Sequence, residues 1–203
     1  MRFRALAVLP VAAMAILSVT GCESKVGAAA VVNGHRIAET DVTKLVNSNA
    51  SNPGQARSYA LNYLILDNVF STALKRNGGL PSDNELASYH DLVLATLLPS
   101  QTGATTTDKD LQNAVGTLGL KASFATLLVR GSELEQALAK KVGATAAAAL
   151  LQELTKEHIS VSVSPRFGHW DATTMSLTDL GKAQLPEGVE LGTVLPGDKP
   201  PAQ

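Results

Sequence analysis

Two short stretches of β character bracket a chain whose interior otherwise reads as helix. The first is Ala29-Ala30-Val31-Val32-Asn33-Gly34-His35-Arg36-Ile37 and the second is Ile159-Ser160-Val161-Ser162-Val163-Ser164. Asn-Gly between apolar runs is the strongest two-residue hairpin signal, because both central positions of a type I′ turn need positive φ. The later stretch alternates strictly between apolar and polar residues, the period of a half-buried strand. Left unpaired, such a strand presents a row of unsatisfied backbone groups and invites aggregation. The N-terminal hairpin is the other β signal in the sequence, so the last strand is expected to pair with the first. That pairing joins the two ends of the domain and closes whatever lies between them into one lobe.

What lies between carries helical periodicity. Aromatic residues make up only 4% of the chain while Ala and Leu abound, a composition that favours helices packed through small and aliphatic side chains. A helix is expected from about Glu39, with Glu39 and Asp41 at the positive end of its dipole. After Asn52-Pro53-Gly54 a long helix is expected over 55–76, stopped by Asn77-Gly78-Gly79. Ala56, Tyr59, Tyr63, Leu66, Phe70 and Ala73 recur along it at steps of three and four, the spacing of one face. Ser82 and Glu85 form a capping-box pattern that opens a helix striped by Leu86, Tyr89, Val93 and Leu97 and ended by Pro99. Thr107 can cap a short helix to about Leu118. Helix is expected again over 121–141, bent or broken near Gly131-Ser132, and over 144–157 after Gly143, where the alanines of 146–149 suit a close-packed face. The expected class is mainly α: a multi-helix lobe with a small antiparallel β element that pairs the N-terminal hairpin with the C-terminal strand.

Ahead of the lobe the chain begins Met1-Arg2-Phe3-Arg4 and continues with an apolar run over 5–19 interrupted only by Pro10 and Ser18. This is the layout of a secretory signal. A spanning helix needs about 20 apolar residues, more than this run supplies. The run closes on Val19-Thr20-Gly21-Cys22, which resembles the bacterial lipobox, whose cysteine takes up diacylglycerol before cleavage on its amino side. Cys22 is the only cysteine, so an intramolecular disulfide is excluded. A lipid there consumes the thiol, and two or more acyl chains give a stable anchor without a membrane-spanning helix. The expected organisation is a signal peptide over 1–21, a linker over 22–28, the helical lobe over 29–170 and a tail over 171–203. The tail, rich in Pro, Gly, Thr and Asp, is expected to be largely disordered.

Charge and motifs narrow the chemistry. Loss of Arg2 and Arg4 with the signal leaves 15 Lys and Arg against 18 Asp and Glu, a net charge of about −3. No basic stripe suggests nucleic acid. His35, His90, His158 and His169 are scattered without metal-ligand spacing, and no nucleophile elbow, phosphate loop or dinucleotide fingerprint is present. Glu133 and Glu135, like Glu153 and Glu157, read as solvated helix faces. No metal, cofactor or catalytic group is expected.

The stretch Ala30-Val31-Val32-Asn33-Gly34-His35-Arg36-Ile37-Ala38-Glu39-Thr40-Asp41-Val42 resembles the opening of the SurA/PrsA/trigger-factor-like chaperone domains, a V-x-V-N-G-x-x-I strand pair running into an acidic-capped helix. Ile159-Ser160-Val161-Ser162-Val163-Ser164-Pro165-Arg166-Phe167-Gly168 resembles the closing strand and P-R-F/Y-G turn of the same lipoprotein chaperones. The likeness covers roughly residues 29–170. It implies a lobe that cradles unfolded or partly folded exported polypeptides. Some members also carry a parvulin-type prolyl isomerase, and here the chain departs from them, since no such block lies between Lys121 and Ile159.

A non-catalytic chaperone is therefore the first expectation, anchored by lipid on the extracytoplasmic face of the cell membrane and binding exported polypeptides in an apolar cleft between helices. A structural or adaptor lipoprotein with one dedicated envelope partner is the second. The stripe of Tyr59, Tyr63, Leu66 and Phe70 suits either a buried helix face or part of a peptide-binding groove, where tyrosine adds a hydroxyl to apolar area. Tyr89 joins these as a candidate, and Trp170 either docks the tail or meets a partner. In a bacterial host, a clickable fatty acid is expected to label the wild-type chain and not Cys22→Ala. Labelling that survives the substitution rejects the anchor.

Overall fold

The computed structural model describes residues 27–99, 105–145 and 147–178. The signal segment, Cys22, most of the expected linker and the tail beyond Thr178 lie outside the described residues. The lobe begins with β1 (Ala28–Val32), one residue ahead of the expected boundary, and turns through Asn33 (φ 46°) and Gly34 (φ 83°) into β2 (His35–Ala38). Both turn residues are left-handed, as a type I′ hairpin requires. β3 (Val161–Val163) lies antiparallel on the other edge of β1, with Val32 opposite Val161 and Ala30 opposite Val163, so the sheet order is β2-β1-β3. The N-terminal hairpin and the alternating strand thus pair as the alternation predicts. Asn33 N–H donates to the Ser160 carbonyl at 2.7 Å and Ser164 N–H to that of Ala29 at 2.9 Å, extending the ladder at both ends.

The helices are α1 (Glu39–Lys44), α2 (Pro53–Arg76), α3 (Asp83–Ala87), α4 (His90–Leu97), α5 (Asp108–Thr117), α6 (Ala122–Val142) and α7 (Ala147–Lys156). Asn52 caps α2 by accepting from Gln55 N–H at 3.2 Å, and Pro53 occupies the first turn, where its missing N–H costs nothing. Thr107 and Asp110 form a reciprocal capping box on α5. α2 is buried on nearly every side and packs along α6, with the rings of Tyr63 and Phe124 meeting edge to face at 5.4 Å. α6 also touches α3, α4, α5 and α7. The two longest helices are therefore the centre of the fold, and the sheet rests against α2.

Two helical expectations are corrected. The helix expected after Pro81 is two helices, broken at Ser88 and Tyr89. Ser88 Oγ–H donates to the Glu85 carbonyl at 2.6 Å, a local bond that competes with helix continuation. Conversely, α6 runs unbroken through Gly131-Ser132, because Gly131 to Ala139 are all enclosed. The burial of Leu134 and Leu138 outweighs the cost of about 1 kcal/mol for a mid-helix glycine.

The connection between α1 and α2 is held against the start of α6. Asn47 N–H donates to Gly119 C=O and Lys121 N–H to Leu45 C=O, both at 2.9 Å, around a single bridge between Val46 and Leu120. Gly119 has φ +75°, and a Cβ there would lie 2.5 Å from that of Ala50. Gly119→Ala is accordingly expected to destabilise by about 2 kcal/mol or more, combining left-handed strain with the clash. Gly131→Ala, whose Cβ would meet nothing within 4 Å, is expected to stabilise by up to about 1 kcal/mol. Urea unfolding of both variants checks the pair.

Candidate functional site

Four of the six nominated apolar residues fall on α2, and the structure puts them at unequal depth. Tyr59 and Phe70 are core residues, 7% and 5% exposed, while Tyr63 and Leu66 are half-buried. Burial, reinforced by Glu135 and Tyr59, pushes the Tyr63 hydroxyl well above its usual range, so it stays protonated. Tyr89 sits off α2, at the junction of α3 and α4, with Lys140 Nζ of α6 5.9 Å from its ring centroid. Tyr59 and Phe70 therefore belong to the packed interior and not to an open groove.

Trp170 lies in an element the sequence reading did not anticipate. β4 (Trp170–Asp171) and β5 (Ser176–Leu177) form a second antiparallel sheet that packs on α2. The expectation of a structureless tail from Asp171 is corrected over residues 171–178. Leu177 is only 2% exposed, and its N–H donates to Asn62 Oδ1 at 3.0 Å. Asn62 is itself 6% exposed and lies one turn from both Tyr59 and Leu66. The face of α2 that carries the nominated stripe is thus met by an extended segment of the same chain. The sequence held one hint of this: Asn62 is a polar residue inside the apolar run Leu61 to Leu66, and a buried amide requires a partner. That the partner is a backbone N–H 115 residues away was not legible.

A second cluster joins three helices. His90 Nδ1 is 3.0 Å from Glu133 Oε1 of α6, and its Nε2 is 3.4 Å from Asp108 Oδ2 at the start of α5. Glu133 is 8% exposed and Glu135 is also buried, which corrects their reading as solvated faces. Packing against α4 and α2 encloses the middle of α6 whatever the polarity of single positions. Contact with Glu133 raises the His90 pKa above its ordinary 6.5, with Asp108 adding to the effect and partial burial opposing it. With a carboxylate on each ring nitrogen, His90 cross-links α4 to α5 and α6. The carboxylates lie on opposite sides of the ring, and among the described residues no group of three His, Cys, Asp or Glu is placed to hold a metal ion.

Two concavities among the described residues are polar. One, of about 320 Å³, opens where the loop after α1 meets the end of α5, lined by Asn47, Ser48, Asn49 and Thr117. The other, of about 230 Å³, lies between α1, the start of α2 and the turn at Pro165–Phe167, lined by Glu39, Arg57, Ser58 and Arg166. Arg166 is paired with Glu39 there. No helix among the described residues is long and apolar enough to cross a membrane. Compared with protein-family models, curated proteins and solved structures, the chain matches none.

Because the folded protein holds the His90 proton more tightly than the unfolded chain, the cross-link contributes fully below pH 6.5 and is lost as pH rises through the raised value. The neutral ring keeps one proton and serves one carboxylate. Thermal melts across this window are expected to show wild-type Tm falling with pH relative to His90→Gln, the two converging on the alkaline side.

Proposed function

We propose that this chain is a membrane-tethered, non-catalytic chaperone that binds unfolded or partly folded exported polypeptides, anchored by a lipid on Cys22 at the extracytoplasmic face of the cell membrane. The observation that carries the reading is the contact between Asn62 and Leu177. A central helix of the lobe offers a buried carbonyl to the backbone N–H of an extended segment and apolar burial to that segment's leucine. Backbone hydrogen bonding combined with pockets for alternate side chains is how many folds bind peptides of varied sequence. The closure of the lobe by its first and last strands, in the order that resembles the SurA-like domains, supports the same reading. So does the signal and lipobox pattern of the first 22 residues. Release then needs no nucleotide, since binding and dissociation are governed by the client's own tendency to fold.

A second reading has one observation in its favour. The two concavities are polar, one of them carrying Arg57 and Arg166 beside Glu39, and such directional groups suit a single dedicated envelope partner better than a broad set of apolar clients.

Light scattering of a chemically unfolded model protein is expected to fall in proportion to the amount of the soluble chain added. Unchanged aggregation at molar excess, together with one stoichiometric partner recovered from envelope extracts, decides for the adaptor.

A further inference from the structure

The β4–β5 hairpin is attached differently from the rest of the core. Each of its strands is two residues long and it forms its own sheet, separate from β2-β1-β3. A two-stranded hairpin of this size has little stability of its own. Beyond the pairing of Trp170 with Leu177 and Asp171 with Ser176, it is closed by Thr178 N–H on the His169 carbonyl at 2.8 Å and by an Asp171 turn, where Oδ1 accepts from Thr173 N–H at 2.8 Å. Residues 172–174 are exposed, Trp170 and Met175 are half-buried, and Leu177 is the one fully buried side chain of the hairpin. Met175 has φ 51°, a left-handed conformation that an unbranched side chain adopts only at a cost. The segment leaves the lobe through Gly168, with φ 88° and ψ −152°, a region open essentially to glycine alone. The hairpin is therefore a small flap on a glycine hinge, held to the lobe by Leu177, the Asn62 hydrogen bond and the packing of Trp170 and Met175 against the core.

Asn62 points the same way. In a permanent core, an apolar residue at the centre of α2 avoids the desolvation of an amide. A buried asparagine instead leaves an unsatisfied carbonyl whenever its donor departs, so this position favours whatever extended segment next presents an N–H. An amide reads backbone and carries no demand on sequence, and the neighbouring apolar space asks only for an aliphatic side chain.

We propose that the Trp170–Thr178 segment is a displaceable occupant of a polypeptide-binding face on α2, and that an extended client segment bearing a leucine-like residue takes the place of Leu177 on Asn62. The inference rests on the polypeptide-binding reading and names where on the lobe that binding occurs. In the closed form the apolar face is covered, so the chain does not expose it to its own copies. A client pays the cost of opening the flap, and its apparent affinity is reduced by the fraction of chains that are closed.

Trp170 is the only tryptophan and sits on the flap, so its emission reports the flap directly. The probe is a synthetic peptide copying residues 171–178, which contains no tryptophan. It is used unlabelled for Trp170 emission and acrylamide quenching, and fluorescein-labelled for anisotropy, on the whole soluble chain. Saturating peptide is expected to shift Trp170 emission to the red and to increase its quenching, and a peptide with the leucine replaced by aspartate is expected to do neither. Leu177→Ala, which loosens the flap, is expected to tighten peptide binding by about threefold or more, the gain set by the closed fraction removed. Asp171→Ala, which removes the acceptor of the Thr173 N–H and Oγ1–H bonds that close the turn and lies outside the apolar core, is expected to loosen the flap and tighten binding likewise, and this variant decides the matter should Leu177→Ala fold poorly. Peptide binding that leaves Trp170 unchanged overturns the proposal, as does an affinity indifferent to Asp171→Ala. Suppression of aggregation with no binding of this peptide overturns the flap alone, whereas absence of both overturns the polypeptide-binding reading as well.

Discussion

β1 is hydrogen-bonded along both edges, to β2 by a tight hairpin and to β3 from the far end of the lobe. Its inner side, with Ala30, Val32 and the facing Ile37 all buried, rests on α2. A slip of one residue in either pairing turns that apolar set outward, so the register is strongly specified. The helices between β2 and β3 must then start beside the hairpin and finish beside it. The ends of α2 and α7 meet this demand: Asn77 Nδ2–H donates to Glu157 Oε1 at 2.8 Å, and Arg76 pairs with Glu157 while its Nη2–H reaches Asn33 Oδ1 at 3.4 Å. One strand thus fixes the path of the whole chain through the lobe.

Inside that frame the polar groups of interest lie on the two central helices. Asn62 on α2 and Glu133 on α6 are each satisfied by a group from a distant element, a backbone N–H in one case and an imidazole in the other. Burying a polar group is unfavourable unless it is matched, and in both places the match secures an element that the apolar core alone holds weakly. The hydrogen bond of Asn62 holds the terminal hairpin. The His90 bridge holds the starts of α4 and α5 against α6. Each contact joins the end of a short element to one of the two long helices, whose own packing on each other is apolar.

A polypeptide-binding reading places recognition on a face that the nominated aromatic stripe already marked, though not by the residues expected. Tyr59 and Phe70 are spent in the core, and the group that meets an extended chain is the amide between them. This is a physically sensible exchange, since directional bonding to backbone with loose apolar contact tolerates many sequences, while a deep aromatic pocket selects few.

The residues themselves determined the hairpin at Asn33-Gly34, the alternating strand over 159–164 and its need of a partner, the caps at Ser82 and Thr107, and the periodic burial along α2. Each of these is written within a few neighbouring positions, through turn geometry, a cap's reach to the third residue on, or the repeat of a helix face. Only the tertiary structure decided that α6 would run through Gly131, that Glu133 would be interior and that the chain would fold back through residues 170–178 onto Asn62. The last two depend on partners 43 and 115 residues away. The burial of a polar side chain is set by what the fold brings against it, which no local pattern encodes.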